Sequence, residues 1–251
     1  MAISWAVKKQ LTFFTLFLLA ISLIIAIILT KLAAPTCSDN KQNQGEEGVD
    51  CGGPCKNQCL GEVKELLVLW TKFFEISQGK YDTIALIENP NLFLDLSSIK
   101  YQFKFYDKDN VLIAIRGGET FINSGETFPI FETNVDIGQR VPSRVFIEFE
   151  KNINWERTGK EKPQLVVSKK QFSNLPLFPR LDATINNKSI SSVDNIFVVA
   201  ILYDKDKNAM AVSATKIDNL QGGASWDISF TWSQPFSEEP SSIEIFLRTS
   251  S

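Results

Sequence analysis

Apolar and polar side chains alternate through Ile99, Lys100, Tyr101, Gln102, Phe103, Lys104 and Phe105, the period-two pattern of a strand with one buried face. The turn formers Asp107-Lys108-Asp109-Asn110 follow, residues 111–115 resume the apolar run, and Ser124-Gly125-Glu126 marks another turn. Val145, Ile147 and Phe149 predict a last strand. The rhythm returns further on, where Trp226, Ile228, Phe230 and Trp232 alternate with Asp227, Ser229 and Thr231, and Ile243, Ile245 and Leu247 close the run.

Much of this pattern occurs twice. Phe74 aligns with Phe172, Ile87 with Ile185, Asn89 with Asn187 and Pro142 with Pro240, all at one offset. Tyr106-Asp107-Lys108-Asp109 aligns with Tyr203-Asp204-Lys205-Asp206, one residue short of it. Two units of roughly eighty-five residues argue for duplicated small domains rather than one large enzyme core. Residues 63–74 are ambiguous, because Val63, Leu66, Leu67, Trp70 and Phe74 also fit one face of a helix. Their counterpart, Leu165-Val166-Val167-Ser168, is too short and β-branched for that, so both are assigned to first strands. The expected fold class is mainly β: two tandem Ig-like antiparallel β-sandwiches at 61–151 and 164–251. Between them, 152–163 reads as a polar exposed linker containing Gly159 and Pro163. Trp155 in that linker either pins the modules together or stands alone at the surface.

Ahead of the β region, residues 11–30 carry no charge. A helix of about twenty residues spans about 30 Å, the thickness of a bilayer's hydrocarbon core. Lys8 and Lys9 precede the run and Lys31 closes it, so the positive-inside rule keeps the 1–10 stub cytoplasmic and sends the rest outward. The expectation is an uncleaved single-pass signal anchor at 11–34 in the cell membrane, with the C-terminal modules outside. A cleaved signal peptide competes. Its apolar region would be only about 7–15 residues long, and here Ala33-Ala34 runs into Pro35, a poor residue after a scissile bond.

All four cysteines, Cys37, Cys51, Cys55 and Cys59, lie in the polar, glycine-rich segment 35–60. An even count in a stretch that cannot bury a core predicts a disulfide-stapled mini-module, with three pairings open. Zinc bound by all four is the weaker reading, since structural zinc ligands usually come as two close pairs. The spacing also misses the Cys-x-x-Cys of redox sites. Asp39, Glu46 and Asp50 offer oxygen ligands for calcium but lack EF-hand spacing, and the plainer reading is solvated turn acids.

Charge and composition narrow the function classes. A formal net charge of -3 without a basic cluster argues against nucleic acid. The chain has no histidine, which removes the usual general base and the commonest neutral metal ligand. No Gly-x-Ser-x-Gly elbow, dinucleotide fingerprint or Walker loop is present. The expectation is therefore a non-enzyme without cofactor or indicated small-molecule ligand. Asn187-Lys188-Ser189 is a glycosylation acceptor pattern, meaningful only where that machinery exists.

Two resemblances add to this. Cys37-Ser38-Asp39, Asn43-Gln44-Gly45-Glu46 and Val49-Asp50-Cys51-Gly52-Gly53-Pro54-Cys55 with Cys59 resemble a short cysteine-rich segment of secreted and surface proteins. Phe103-Lys104-Phe105-Tyr106-Asp107 and Ala200-Ile201-Leu202-Tyr203-Asp204 resemble the Phe-x-Leu-Tyr-Asp signature of a family of bacterial Ig-like modules, related in shape to type 2 late-embryogenesis-abundant domains. Ile87-Glu88-Asn89-Pro90-Asn91 fits the Asn-Pro element common in such domains; the second copy keeps Asn187 but has Lys188 for proline. The first copy has Phe for the signature's Leu, and the second has Ala for its leading Phe. This resemblance implies a non-catalytic envelope module and is nearly silent on function. It makes Tyr106 and Tyr203 packed rings and Asp107 and Asp204 turn carboxylates.

The copies differ on one face. Lys100, Gln102 and Lys104 become Phe197, Val199 and Ile201 in the second, and a face so apolar must be covered by the chain itself or by a partner. The plainer reading is that the chain covers this face itself or packs it against the first module; the sharper one makes Phe197, Val199 and Ile201 a candidate partner face. The function expected is protein–protein contact at the cell envelope. A passive spacer is the second reading, and a carbohydrate- or wall-binding protein using Trp155 or Trp226 the third, with Trp226 read more as core.

Overall fold

The computed structural model describes residues 5–32, 37–55, 57, 59, 63–151, 153–158, 162–175 and 177–250. Residues 1–57 and 58–251 form separate compact units.

In the first unit, α1 (Trp5–Leu32) contains a stretch, Val7–Ile28, long and apolar enough to cross a membrane; a signal sequence meets the same criterion. Its large apolar side chains from Leu11 to Ile28 are exposed all round, as on a helix whose solvent is lipid. The hydroxyls suit that setting: Thr12 Oγ1 donates to the Lys8 carbonyl and Thr15 Oγ1 to that of Thr12. Beyond the helix, Cys37 is bonded to Cys55, and Cys51 and Cys59 are also in disulfides. No described cysteine is free, which rules out the thiolates that zinc would require. Gly53 shows why glycine occupies this knot. Its φ is +54°, and a Cβ there would lie 2.1 Å from the Gly45 carbonyl oxygen.

The second unit holds all the named strands among the described residues. The first sandwich comprises β1 (Leu67–Ser77), β2 (Lys80–Glu88), β3 (Leu94–Tyr106), β4 (Leu112–Ile122), β5 (Thr127–Asp136) and β6 (Arg144–Phe149). After β7 (Glu156–Arg157), the second comprises β8 (Leu165–Ser173), β9 (Arg180–Asn187), β10 (Val193–Tyr203), β11 (Ala209–Leu220), β12 (Ser225–Thr231) and β13 (Ser242–Arg248). Sheet β1-β2-β5 faces β4-β3-β6, and the same order recurs as β8-β9-β12 facing β11-β10-β13. The alternation of β3 does what its period predicts: Ile99, Tyr101, Phe103 and Phe105 are buried between the sheets. In the second sandwich Ile196, Val198, Ala200 and Leu202 take those places.

Two expectations need correction. Residues 153–158 are not a free linker, because β7 pairs with the start of β3 (Leu94 with Arg157) and Trp155 is buried in the first core. An indole this large gains more from that core than from solvent, which ties the connection to the first sandwich. Trp226, on the inner parity of β12, is 53% exposed and lies outside the second core.

A buried asparagine repeats in both sandwiches. Asn89 Nδ2 donates to the Leu94 and Asn123 carbonyls, while its Oδ1 accepts the Asn91 N–H. Asn187 Nδ2 donates to the Ser191, Leu220 and Gln221 carbonyls, and its Oδ1 accepts the Ser189 N–H. Each thus joins two loops at one end of its sandwich. With its amide hydrogens committed and its side chain buried, Asn187 is not a glycan acceptor in the folded protein. Expressed in a glycosylating host, the chain is expected to show no mass increase at this site. Asn187→Ala is expected to lower stability by about 2–3 kcal/mol in urea unfolding, because buried carbonyls lose their donor. A glycan at Asn187 of folded protein would refute this assignment.

Candidate functional site: the seam between the sandwiches

The outer face of β11-β10-β13 lies on the outer face of β1-β2-β5. Ile84, Val199, Ile201, Ala209 and Val212 are buried there, with Trp70, Phe74, Phe131, Tyr203 and Phe246 packed around them. This corrects the partner-face reading for two of its three residues. Val199 and Ile201 are already covered by the first sandwich, while Phe197, 44% exposed, forms the rim with its ring 6.0 Å from that of Phe121. Lys100, Gln102 and Lys104 stay polar because, among the described residues, no second sheet packs on their face of β3.

One end of the seam is locked by a charge. Arg248, opposite Phe197 in the β10–β13 register, is buried. Its Nε donates to Glu126 Oε1 at 3.2 Å and its Nη2 to the Phe121 carbonyl at 2.6 Å. The guanidinium also sits 4.4 and 4.1 Å from the ring centroids of Phe121 and Phe128. Burial pushes its pKa down while Glu126 pulls it up.

At the other end the two sandwiches diverge into a groove of about 780 Å³. Phe74 and Phe131 line the first side; Met210, Trp232 and Phe236 line the second, with Phe178 at the lip. Several polar groups here are already bonded within the chain. Trp232 Nε1 donates to the Val212 carbonyl, Gln234 Nε2 to the Ile76 carbonyl, and Asp82 Oδ1 accepts from Thr133 Oγ1. The groove thus offers aromatic and aliphatic surface beside polar groups such as Glu75, Thr133 and Ser233.

The signature residues serve the fold. Asp107 Oδ1 accepts the N–H groups of Asp109 and Val111, and Asp204 Oδ1 those of Asp206 and Asn208. These backbone donors hold both carboxyls below their ordinary pKa. Burial raises the Tyr203 phenol, which donates to Glu244. The Tyr203 ring belongs to the seam cluster, whereas Tyr106 meets Phe146 edge-on at 5.8 Å.

The calcium-candidate acids act as turn acceptors. Asp50 takes the Asp39 and Asn40 N–H groups, Asp39 takes those of Lys41, and Glu46 takes those of Asn43 and Asp50. Cys37, Glu46 and Cys55 lie close enough together to hold a metal, but both sulfurs are spent in the disulfide. Sequence reasoning missed Phe178, Trp232 and Phe236 as groove residues. Phe178 and Phe236 lie in loops, where no periodicity reports which way a ring points, while the alternation that includes Trp232 points it toward the second core and says nothing of a groove beside it.

No family model and no curated protein matches the chain. Among solved structures, the crystal structure of red sea bream transglutaminase is similar over 69% of this chain at 13% identity and a TM-score of 0.25. The chain spans 28% of that enzyme's length, and a likeness this slight carries no argument about activity.

Proposed function

We propose that this chain is a single-pass membrane protein whose tandem Ig-like sandwiches, outside the membrane, form one non-catalytic head that binds an apolar segment of another protein. The observation that carries this reading is the aromatic groove at the seam. Rigid aromatic side chains in a concave setting are the usual anchors of protein recognition. A sugar presents hydroxyls that need donors and acceptors, and of those in the groove Trp232 Nε1, Asp82 Oδ1 and Gln234 Nε2 are already bonded within the chain. The α1 span and the disulfides support the anchor and the extracytoplasmic placement.

The test is photo-crosslinking of the full-length protein in cells, with a photoreactive residue at Phe178 or at Lys108. A discrete protein adduct from Phe178 and none from Lys108 is the expected result. Polysaccharide adducts at Phe178 would favour wall binding instead. No adduct at either position would favour a spacer.

A further inference from the structure

We infer that the end of the head bearing loops 89–93 and 187–191 docks onto the lipid bilayer, so that the head lies against its own membrane. This rests on the anchored reading above.

Three large apolar side chains protrude from these loops: Leu92 is 68% exposed, Phe93 72% and Ile190 fully exposed. The two loops occupy equivalent positions in their sandwiches, each following the buried asparagine. They also lie at the same end of the head. Gly125 N donates to the Asn91 carbonyl in the first, Asn123 Nδ2 reaches the Thr249 carbonyl, and Thr249 Oγ1 donates to the carbonyl of Asp194 beside the second. Neither tip is slack chain. Asn89 and Asn187 clamp the loop bases, and a Cβ on Gly222 would lie 1.8 Å from the Ile190 carbonyl oxygen, so that loop is seated on the neighbouring turn.

Two observations favour a bilayer over another occupant. First, the chain enters the head at this end. Lys64 N donates to Asn91 Oδ1 and Asn91 Nδ2 returns a bond to the Lys64 carbonyl, 2.9 and 2.8 Å. From Leu32 to Val63 the Cys37–Cys55 bond bypasses the intervening loop. The covalent path is then about thirteen residue steps of at most ~3.5 Å plus the disulfide, on the order of 50 Å. A surface held this close to its target needs little intrinsic affinity. Second, the apolar tips sit beside basic groups. Lys64 and Arg157 flank Leu92 and Phe93 in one cleft, and exposed Lys188 lies two residues from Ile190. Exposed Glu65 and Asp194 lie at the same end, as do half-buried Asp95 and Glu156 beside Arg157, so the basic groups are local to the tips rather than a net positive surface. Apolar tips with adjacent basic residues are the chemistry of interfacial insertion into the headgroup region.

The test uses full-length protein in liposomes of phosphatidylcholine and phosphatidylglycerol. A fluorophore is placed by Leu92→Cys, Ile190→Cys, Lys205→Cys or Leu19→Cys, all under non-reducing conditions. Lys205 lies in the turn at the far end of β10, and Leu19 in the apolar helix. Brominated acyl chains are expected to quench the labels at 92, 190 and 19 and leave that at 205 bright. Ile190 is fully exposed, so its variant reports even if Leu92→Cys disturbs the fold. Quenching at 19 with none at 92 or 190 overturns the docking and leaves the anchor standing. Blue-shifted emission at 92 and 190 without bromine quenching indicates a protein contact and also overturns it. No quenching at 19 overturns the anchor, and the docking with it.

Discussion

Ile201→Asp is expected to destabilise the full-length protein by about 3–5 kcal/mol or more, because it strands a charge in a buried apolar contact. Ile201 has no exposed surface and packs in the seam with Ile84, Val199 and Val212. Ile201→Ala separates packing from charge and is expected to cost about 2–5 kcal/mol through the cavity it leaves. Lys104, the equivalent position in the first copy, is half-buried and forms an ion pair with the exposed Glu148. Lys104→Ala is expected to change stability by less than about 1 kcal/mol. Urea unfolding of the protein in detergent, followed by tryptophan fluorescence, reads all three. Wild-type stability for Ile201→Asp would mean that the seam does not form, and the apolar face would be free for a partner after all.

Removing one member of the Arg248–Glu126 pair is expected to cost more than removing both. Glu126 is only 15% exposed at its side chain, and its Oε2 is buried with no hydrogen-bond partner among the described residues. Arg248→Ala would leave that carboxylate buried opposite two aromatic rings, at a cost of about 3–5 kcal/mol. Arg248→Met combined with Glu126→Leu fills similar volume without charge and is expected to recover most of that loss. The pair joins β13 to the start of β5, so its loss should also loosen the sandwiches relative to each other. Hydrogen exchange of the amides in residues 120–128 would show this as faster exchange in Arg248→Ala. A double variant less stable than either single one would show that the pair itself, rather than relief of an uncompensated charge, dominates this contact.

Much of this architecture follows from local pattern. Side chains two apart on a strand share a face, so the alternation through 99–105 predicts which of those residues are buried without knowledge of the partner sheet. Uniform apolarity over 11–30 predicts a helix whose solvent is lipid, since no polar face is present to meet water. The cysteines could be assigned to disulfides from their count and setting, while the bond from Cys37 to Cys55 depends on how the Gly52-Gly53 turn folds back. Even the apolar change on the second copy, at Phe197, Val199 and Ile201, announces that something covers that face.

What covers it was decided only in three dimensions. A hydrophobic face specifies burial but not its partner, because the hydrophobic effect is non-directional. Packing sheet β11-β10-β13 on β1-β2-β5 depends on the connection between the sandwiches, and Trp155 fastens that connection into the first core. The same packing turns Arg248, an ordinary basic residue in sequence, into a buried cation. It also brings Phe74, Phe131, Trp232 and Phe236 to one groove from strands and loops distant along the chain. Local periodicity determines which way a strand's side chains face; the meeting of two finished sandwiches determines which of them remain available to bind.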